Sequence, residues 1–332
     1  MVIERVLITS VPFGAGDHRP LDQLVAAGIE PVLHPLGRKP TEEEMAGLVG
    51  HADAVIAGTE PFTATVLDAA PRLRLISRIG IGLDNVDLLA ARERGIEVCY
   101  TPDAPTPAVA EMTIGLILTA LRGIHISNAR MHAGGWHRVV GCRLGESVIG
   151  ILGVGRVGRE VLRLLVRMEP RKILLCDLGE DPDLASEAPE TVIEWVPLDR
   201  LLAESDVLTV HLPMTGDTRG LIGEKELYCL KPDAVVVNTS RGGIVDEEDL
   251  HAVLISGHLR AAALDVFETE PYSGPLREVE RCLLTSHMSS SSVDCRAQME
   301  AEAATEVVRF ATSKPLANPV PESEYQQQEA EQ

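Results

Sequence analysis

The chain has 332 residues, 45% hydrophobic and 24% charged, which is enough apolar material for two hydrophobic cores and too much for a disordered chain. Thirty Lys and Arg against 50 Asp and Glu leave a formal net charge of −20, so nucleic-acid and membrane-surface partners are not expected. Six scattered cysteines without a CxxC pair read as reduced thiols, not as a disulfide framework or metal ligands, and no metal is expected. The N-terminus, MVIERVLITS, lacks the pattern of a signal peptide, and no apolar run reaches the roughly 18 residues of a membrane span. A cytoplasmic setting is the expectation.

In chain order, residues 5–9, 31–33, 54–57, 74–77 and 97–99 read as short buried strands. Helical patterns fall between them at 20–27, 42–49, 64–69 and 87–94. Thr41-Glu42-Glu43-Glu44 predicts a capping box, and Gly95 a helix stop. This alternation predicts parallel strands joined by right-handed crossovers. The segment YTPDAPTP (100–107) breaks the pattern, and one long apolar helix is expected over about 108–129. A second alternating set follows, with strands at 147–152, 172–176, 206–211, 234–238, 260–265 and 282–285. A final helix is expected to about 312, and the tail from 319, rich in Pro, Gln and Glu, is expected to be disordered.

Gly153-Val154-Gly155-Arg156-Val157-Gly158 is a GxGxxG between a strand pattern and an amphipathic helix. The first glycine permits a tight turn, the second a close backbone approach to a pyrophosphate, and the third close helix–strand packing. Asp177 ends the next strand, 19 residues beyond Gly158, where it can accept from ribose hydroxyls. No Arg or Lys follows at Leu178, Gly179 or Glu180, so NAD is favoured over NADP.

Three polar groups then follow three apolar strands: Arg241 after 234–238, Glu270 after 260–265, and His287 after 282–285. The carboxyl ends of parallel strands line the ligand crevice, so the three are expected to converge there. Moving a hydride from a C–H bond needs a base for the adjacent hydroxyl proton, and imidazole titrates near neutrality. A carboxylate beside it favours the protonated form, and a guanidinium fork holds a substrate carboxylate at two points.

These residues resemble the D-isomer-specific 2-hydroxyacid dehydrogenases, most closely their D-3-phosphoglycerate dehydrogenase branch. The resemblance covers about residues 3–318. It also rests on SRIGIGLDNVD (77–87), Ala108-Val109-Ala110-Glu111 and His211-Leu212-Pro213. It implies two doubly wound parallel-sheet α/β domains with a cleft between them. The discontinuous substrate domain would span 1–103 and 288–318, and the NAD-binding Rossmann domain 104–287, which would also carry a homodimer contact. It implies Arg241 as substrate clamp, Glu270 as support, and His287 as acid/base. It implies a backbone nest at Ile79, Gly80 and Ile81 for the substrate carboxylate. Asp265 would meet the nicotinamide carboxamide, Arg156 and Val157 the pyrophosphate, and His211, Pro213, Thr218, Thr239 and Ser240 would lie along the cofactor.

Some positions depart from the family pattern. Ser286 stands where the family has Pro, and Met288-Ser289-Ser290-Ser291-Ser292 replaces its small-residue and Thr pattern. Ala57-Gly58-Thr59 lacks an Arg-Ser pair for reading phosphate, with Arg78 or Arg74 the candidates to replace it, so the identity of the hydroxy acid stays open. A regulatory domain beyond 318 is not expected. The expected activity is hydride transfer between NAD(H) and a D-2-hydroxy acid or 2-oxo acid. A phosphite or phosphonate dehydrogenase, and an NAD(H)-sensing corepressor-like binding protein, are the alternatives.

Overall fold

The computed structural model describes residues 3–186 and 192–330. The chain divides into two compact units, one of Met1–Pro105 with Ser291–Gln332 and one of Thr106–Ser290. In the first, β1 (Arg5–Ile8), α1 (Arg19–Ala26), β2 (Glu30–Leu33), α2 (Glu42–Leu48), β3 (Ala54–Ala57), α3 (Ala64–Asp68), β4 (Leu75–Arg78), α4 (Leu88–Glu93) and β5 (Glu97–Tyr100) alternate. Their strands form a parallel sheet ordered β2-β1-β3-β4-β5. Thr41 and Glu44 form the predicted capping box, and Gly95 ends α4 at φ +67°.

The second unit starts with α5 (Thr106–Arg122) and α6 (Ile124–His132). The single helix expected over 108–129 is broken, with the two helices bent by 70° at Gly123. Gly123 sits at φ +58°, and a Cβ there would fall 2.6 Å from Val139 Cγ1, so the break needs glycine. Then come β6 (Val148–Leu152), α7 (Arg156–Val166), β7 (Lys172–Cys176), α8 (Pro182–Ser186), β8 (Ile193–Trp195), α9 (Leu198–Glu204), β9 (Val207–Val210), α10 (Glu224–Cys229), β10 (Val235–Asn238), α11 (Glu247–Ser256), β11 (Ala261–Leu264) and β12 (Cys282–Leu284). The parallel sheet is ordered β12-β11-β10-β9-β6-β7-β8. Its edge strand β8, Ile-Glu-Trp, is too short and mixed to be read from pattern.

The inner strands of this sheet are nearly continuous apolar runs, interrupted by Thr209 and Asn238, because both faces are covered. Leu208, Val236 and Ala262 enter one core, while Val207, Val235, Val237 and Ala263 enter the other. The chain reverses its direction of strand addition between β6 and β9, which leaves a crevice at their carboxyl ends.

The chain then returns to the first unit with α12 (Val293–Ala311) and α13 (Glu322–Ala330). The expectation of a disordered tail is corrected. Pro319 bridges antiparallel to Cys99 on edge strand β5, and Val320 and Tyr325 are buried in the first unit's core. Arg92 stacks 3.6 Å over the Tyr325 ring and pairs with Glu322. A few anchoring residues order a segment whose average composition is polar. Among the described residues no single helix is long and apolar enough to cross a membrane.

Candidate active site

The GxGxxG lies where its spacing places it, between β6 and α7. Gly153 adopts φ +91°, and a Cβ there would lie 2.7 Å from the backbone carbonyl of His211. A Cβ on Gly158 would meet Gly153 O at 2.1 Å, so helix and turn touch backbone to backbone. A Cβ on Gly155 would meet nothing within 4 Å. Gly155 is the N-cap of α7 and brings no side-chain cap, which leaves first-turn N–H groups for an anion. The donor set and the open space at Gly155 fit a dinucleotide pyrophosphate. Arg156 and Val157 form the start of that first turn.

Asp177 follows β7 and turns toward the glycines. Its Oδ2 accepts from Val154 N–H at 2.6 Å and its Oδ1 from Leu178 N–H at 2.6 Å. A carboxylate has about four acceptor positions, so room is left for ribose hydroxyls. Arg159, which the sequence reading missed, donates to Val154 O and to Asp181 Oδ2, and so folds the segment after Asp177 onto α7. His211 follows β9 with Nε2 2.9 Å from Thr209 Oγ1. Burial lowers its pKa to about 3, so the ring is neutral. Thr218 Oγ1 donates to Pro213 O at 2.7 Å and closes the 213–218 turn.

At the ends of β11 and β12, Glu270 and His287 meet. His287 Nδ1 lies 3.0 Å from Glu270 Oε1 and 2.9 Å from Oε2. Nδ1–H therefore points at the carboxylate, and Nε2 is left for other chemistry. His287 adopts φ +51°, a conformation a non-glycine residue holds only when its surroundings impose it. Asp265 imposes it: its carbonyl accepts from His287 N–H at 2.7 Å, and its carboxylate accepts from Met288 and Ser289 N–H at 2.9 and 2.8 Å. Thr285 Oγ1 also donates to it, at 2.6 Å. Asp265 is fully buried, and its oxygens accept from Thr285, Met288 and Ser289, so it holds the histidine loop.

Arg241 belongs to a turn built by Asn238, whose Oδ1 accepts from Ser240 N–H and Oγ–H and whose Nδ2 donates to Arg241 O. Thr239 Oγ1 lies 2.8 Å from Thr113 Oγ1 on α5. A Cβ on Gly242 would fall 1.8 Å from the Phe267 carbonyl carbon, so this turn is pressed onto the loop that carries Glu270. In the first unit the nest expectation narrows. Ile79 N–H donates to Ala57 O and Gly80 N–H to Thr101 Oγ1. Only the Ile81 N–H of the three lacks an acceptor among the described residues, because the other two tie the turn to neighbouring strands.

The model of the D-isomer specific 2-hydroxyacid dehydrogenase, NAD binding domain, matches residues 114–289. The chain is 36% identical over 278 residues to a glyoxylate reductase of Thermofilum pendens, covering 81% of each chain. It is also 36% identical over 263 residues to a D-3-phosphoglycerate dehydrogenase of Methanocaldococcus jannaschii, covering 77% of this chain and 49% of that one. The chain thus spans about half the length of the curated phosphoglycerate dehydrogenases it matches. The crystal structure of the TT0316 protein from Thermus thermophilus superposes with a TM-score of 0.86 at 31% identity, covering 96% of this chain and all of that one. A dinucleotide turn, a carboxylate-backed histidine and these likenesses together make the chain a member of the D-isomer-specific 2-hydroxyacid dehydrogenase family, with the family's NAD-binding domain in its second unit.

Proposed function

We propose that the protein interconverts a D-2-hydroxy acid and its 2-oxo acid, with His287 as acid/base, Glu270 as its support and Arg241 as the substrate clamp. NAD, when bound, supplies or accepts the hydride. The observation that carries this reading is the contact of both Glu270 oxygens with His287 Nδ1. It fixes the tautomer that leaves Nε2 to give a proton to a carbonyl oxygen, or to take one from a hydroxyl. The His287 side chain is 37% exposed, so Nε2 can reach a substrate. Arg241 offers a fork that holds a carboxylate at two points and polarises the adjacent carbonyl.

The substrate class we favour is a small, unphosphorylated 2-oxo acid. The turn after β3, Ala57-Gly58-Thr59-Glu60, carries no guanidinium, and its Glu60 carboxylate is buried and accepts from Gly58 N–H at 2.7 Å. The test is NADH oxidation against a panel of 2-oxo acids that includes phosphorylated and phosphonate members. Turnover with unphosphorylated members is expected. Inactivity across the panel with intact NADH binding would sink the reading and favour a binding protein.

A homodimer through the second unit belongs to the same proposal. Ile124, Met131, Trp136 and Val140 are 52%, 49%, 78% and 89% exposed along one stretch of chain, an apolar display that a second copy would cover. Light scattering on the purified protein reads the mass directly, and a monomer at micromolar concentration would refute it.

A further inference from the structure

Asp246, Glu247, Glu248 and Asp249 open α11, and acids in a first turn ordinarily need no explanation beyond the helix dipole. Their side chains nevertheless divide the work. Asp246 caps the helix, accepting from Glu248 and Asp249 N–H at 3.0 and 2.9 Å. Asp249 accepts from Glu224 N–H at 2.8 Å, at the start of α10. Glu247 serves neither purpose. Its Oε1 accepts from Glu268 N–H at 2.7 Å, in the loop between β11 and the 271–274 segment.

That loop has no regular secondary structure, so its conformation depends on what grips it. Phe267 N–H donates to Glu270 Oε1 at 3.2 Å, and the next amide, Glu268 N–H, donates to Glu247. Arg219 Nη1 holds the Glu268 carboxylate at 2.5 Å, and the Phe267 ring stacks on Tyr272 at 4.3 Å between centroids. Successive amides thus point at two carboxylates, one catalytic in the reading above and one on α11. Burial pushes the Glu247 carboxyl above the usual carboxylate range, and Glu268, Asp246 and Glu270 add to this.

We infer that Glu247 is a positioning residue for the Glu270–His287 pair: by holding Glu268 N–H it fixes the turn from which the Glu270 carboxylate reaches the imidazole. The inference rests on the proposed roles of Glu270 and His287. Losing the grip lets the loop carry Glu270 away from His287 Nδ1, and an error of about 1 Å in such a pair lowers turnover by one to two orders of magnitude. A carboxamide can accept the same N–H, so charge is not required.

The experiment compares Glu247→Ala, Glu247→Gln and His287→Gln in the full chain, using the 2-oxo acid that the wild type reduces fastest. Glu247→Ala is expected to lower kcat about tenfold while leaving KM and the NADH dissociation constant within about twofold. Glu247→Gln is expected to restore kcat to within about twofold of wild type. In the cofactor-free protein, histidine ¹⁵N shifts should show His287 losing its single Nδ1-protonated tautomer in Glu247→Ala and keeping it in Glu247→Gln. If Glu247→Ala does not fold, Glu247→Asp serves: it keeps the negative charge at the helix start but falls one methylene short, and a lowered kcat is expected. Wild-type kcat in the shortened variant, an unchanged tautomer, or equal losses in Ala and Gln would overturn the inference. Wild-type turnover in His287→Gln would instead overturn the proposed catalytic roles.

Discussion

The two units repeat one architecture and treat its first strand-to-helix turn in opposite ways. In the second unit the turn after β6 is glycine, and at Gly155 it faces open space. In the first unit the turn after β1 is filled by the protein's own side chains. Thr9 bonds Ile56 O and the Glu60 carboxylate, and Phe13 is 5% exposed. Arg296 from α12 donates to Ser10 Oγ and Pro12 O, and Glu300 accepts from Gly14 N–H. A doubly wound sheet therefore offers a crevice but not a ligand site. Whether the crevice binds depends on which side chains the sequence places at the strand ends.

The largest expected effect lies at the strand ends of the second unit. His287→Ala should lower kcat by about 10²–10⁴-fold while NADH still quenches protein fluorescence with near-wild-type affinity. Retained turnover would remove the histidine from the chemistry. The next contrast sets Gly153→Ala against Gly14→Ala. The first puts a methyl against the His211 backbone, and NADH affinity should fall on the order of 100-fold. The second meets the Leu21 side chain at 2.6 Å and must hold φ +72°, so it should lower stability by about 1 kcal/mol and leave NADH binding alone. Equal effects on NADH would erase the distinction between the two turns.

Much of this difference was legible in the chain. The glycine spacing with Asp177, and Arg241, Glu270 and His287 each placed after an apolar run, follow from local pattern and from the rule about strand ends. What sequence could not show is where a side chain spends its hydrogen bonds. Asp265 reads as a crevice residue, and only the fold shows that its carboxylate also binds the Met288 and Ser289 amides and so holds His287 at positive φ. Ile79 and Gly80 read as a nest, yet their N–H groups are consumed by Ala57 and Thr101, both far away in sequence. Glu247 reads as one of four helix-start acids, and only the folded loop gives it a separate task. Gly123, the hinge between α5 and α6, is flanked by helix-forming stretches on both sides, and only the fold shows it at φ +58°.

The acid limb of stability sharpens the comparison further. His211 is half-buried with its ring nitrogens desolvated, and it is neutral, with a folded pKa of about 3 against about 6.5 in an unfolded chain. The unfolded state binds the proton more readily, so this site costs nothing above about pH 6.5 and destabilises the fold progressively as pH falls toward 3. His211→Gln should unfold at a similar urea concentration to wild type at pH 8 and at a higher one, relative to wild type, at pH 5. A constant difference between the two proteins across that range would show that the imidazole does not titrate with unfolding.

The smallest effect belongs to the first unit, where the tail returns to the sheet. The α4 N-terminus is capped twice over. Asp87 Oδ1 accepts from Ala90 N–H at 2.8 Å, while Gln328 Oε1, from α13, accepts from Leu88 and Leu89 N–H at 2.7 and 3.3 Å. Gln328 Nε2 in turn donates to Val86 O at 3.0 Å. The first-turn donors of α4 have no helical partners, so the glutamine acts as a cap delivered from 240 residues away. Gln328→Ala should lower stability by about 1 kcal/mol, a fall of roughly 2–4 °C in Tm, with kcat and NADH affinity unchanged because no strand end of the second unit is touched. An unchanged Tm would mean that water caps α4 as well as α13 does. A lowered kcat would mean that the tail bears on the chemistry, and the division of labour between the two units would then have to be redrawn.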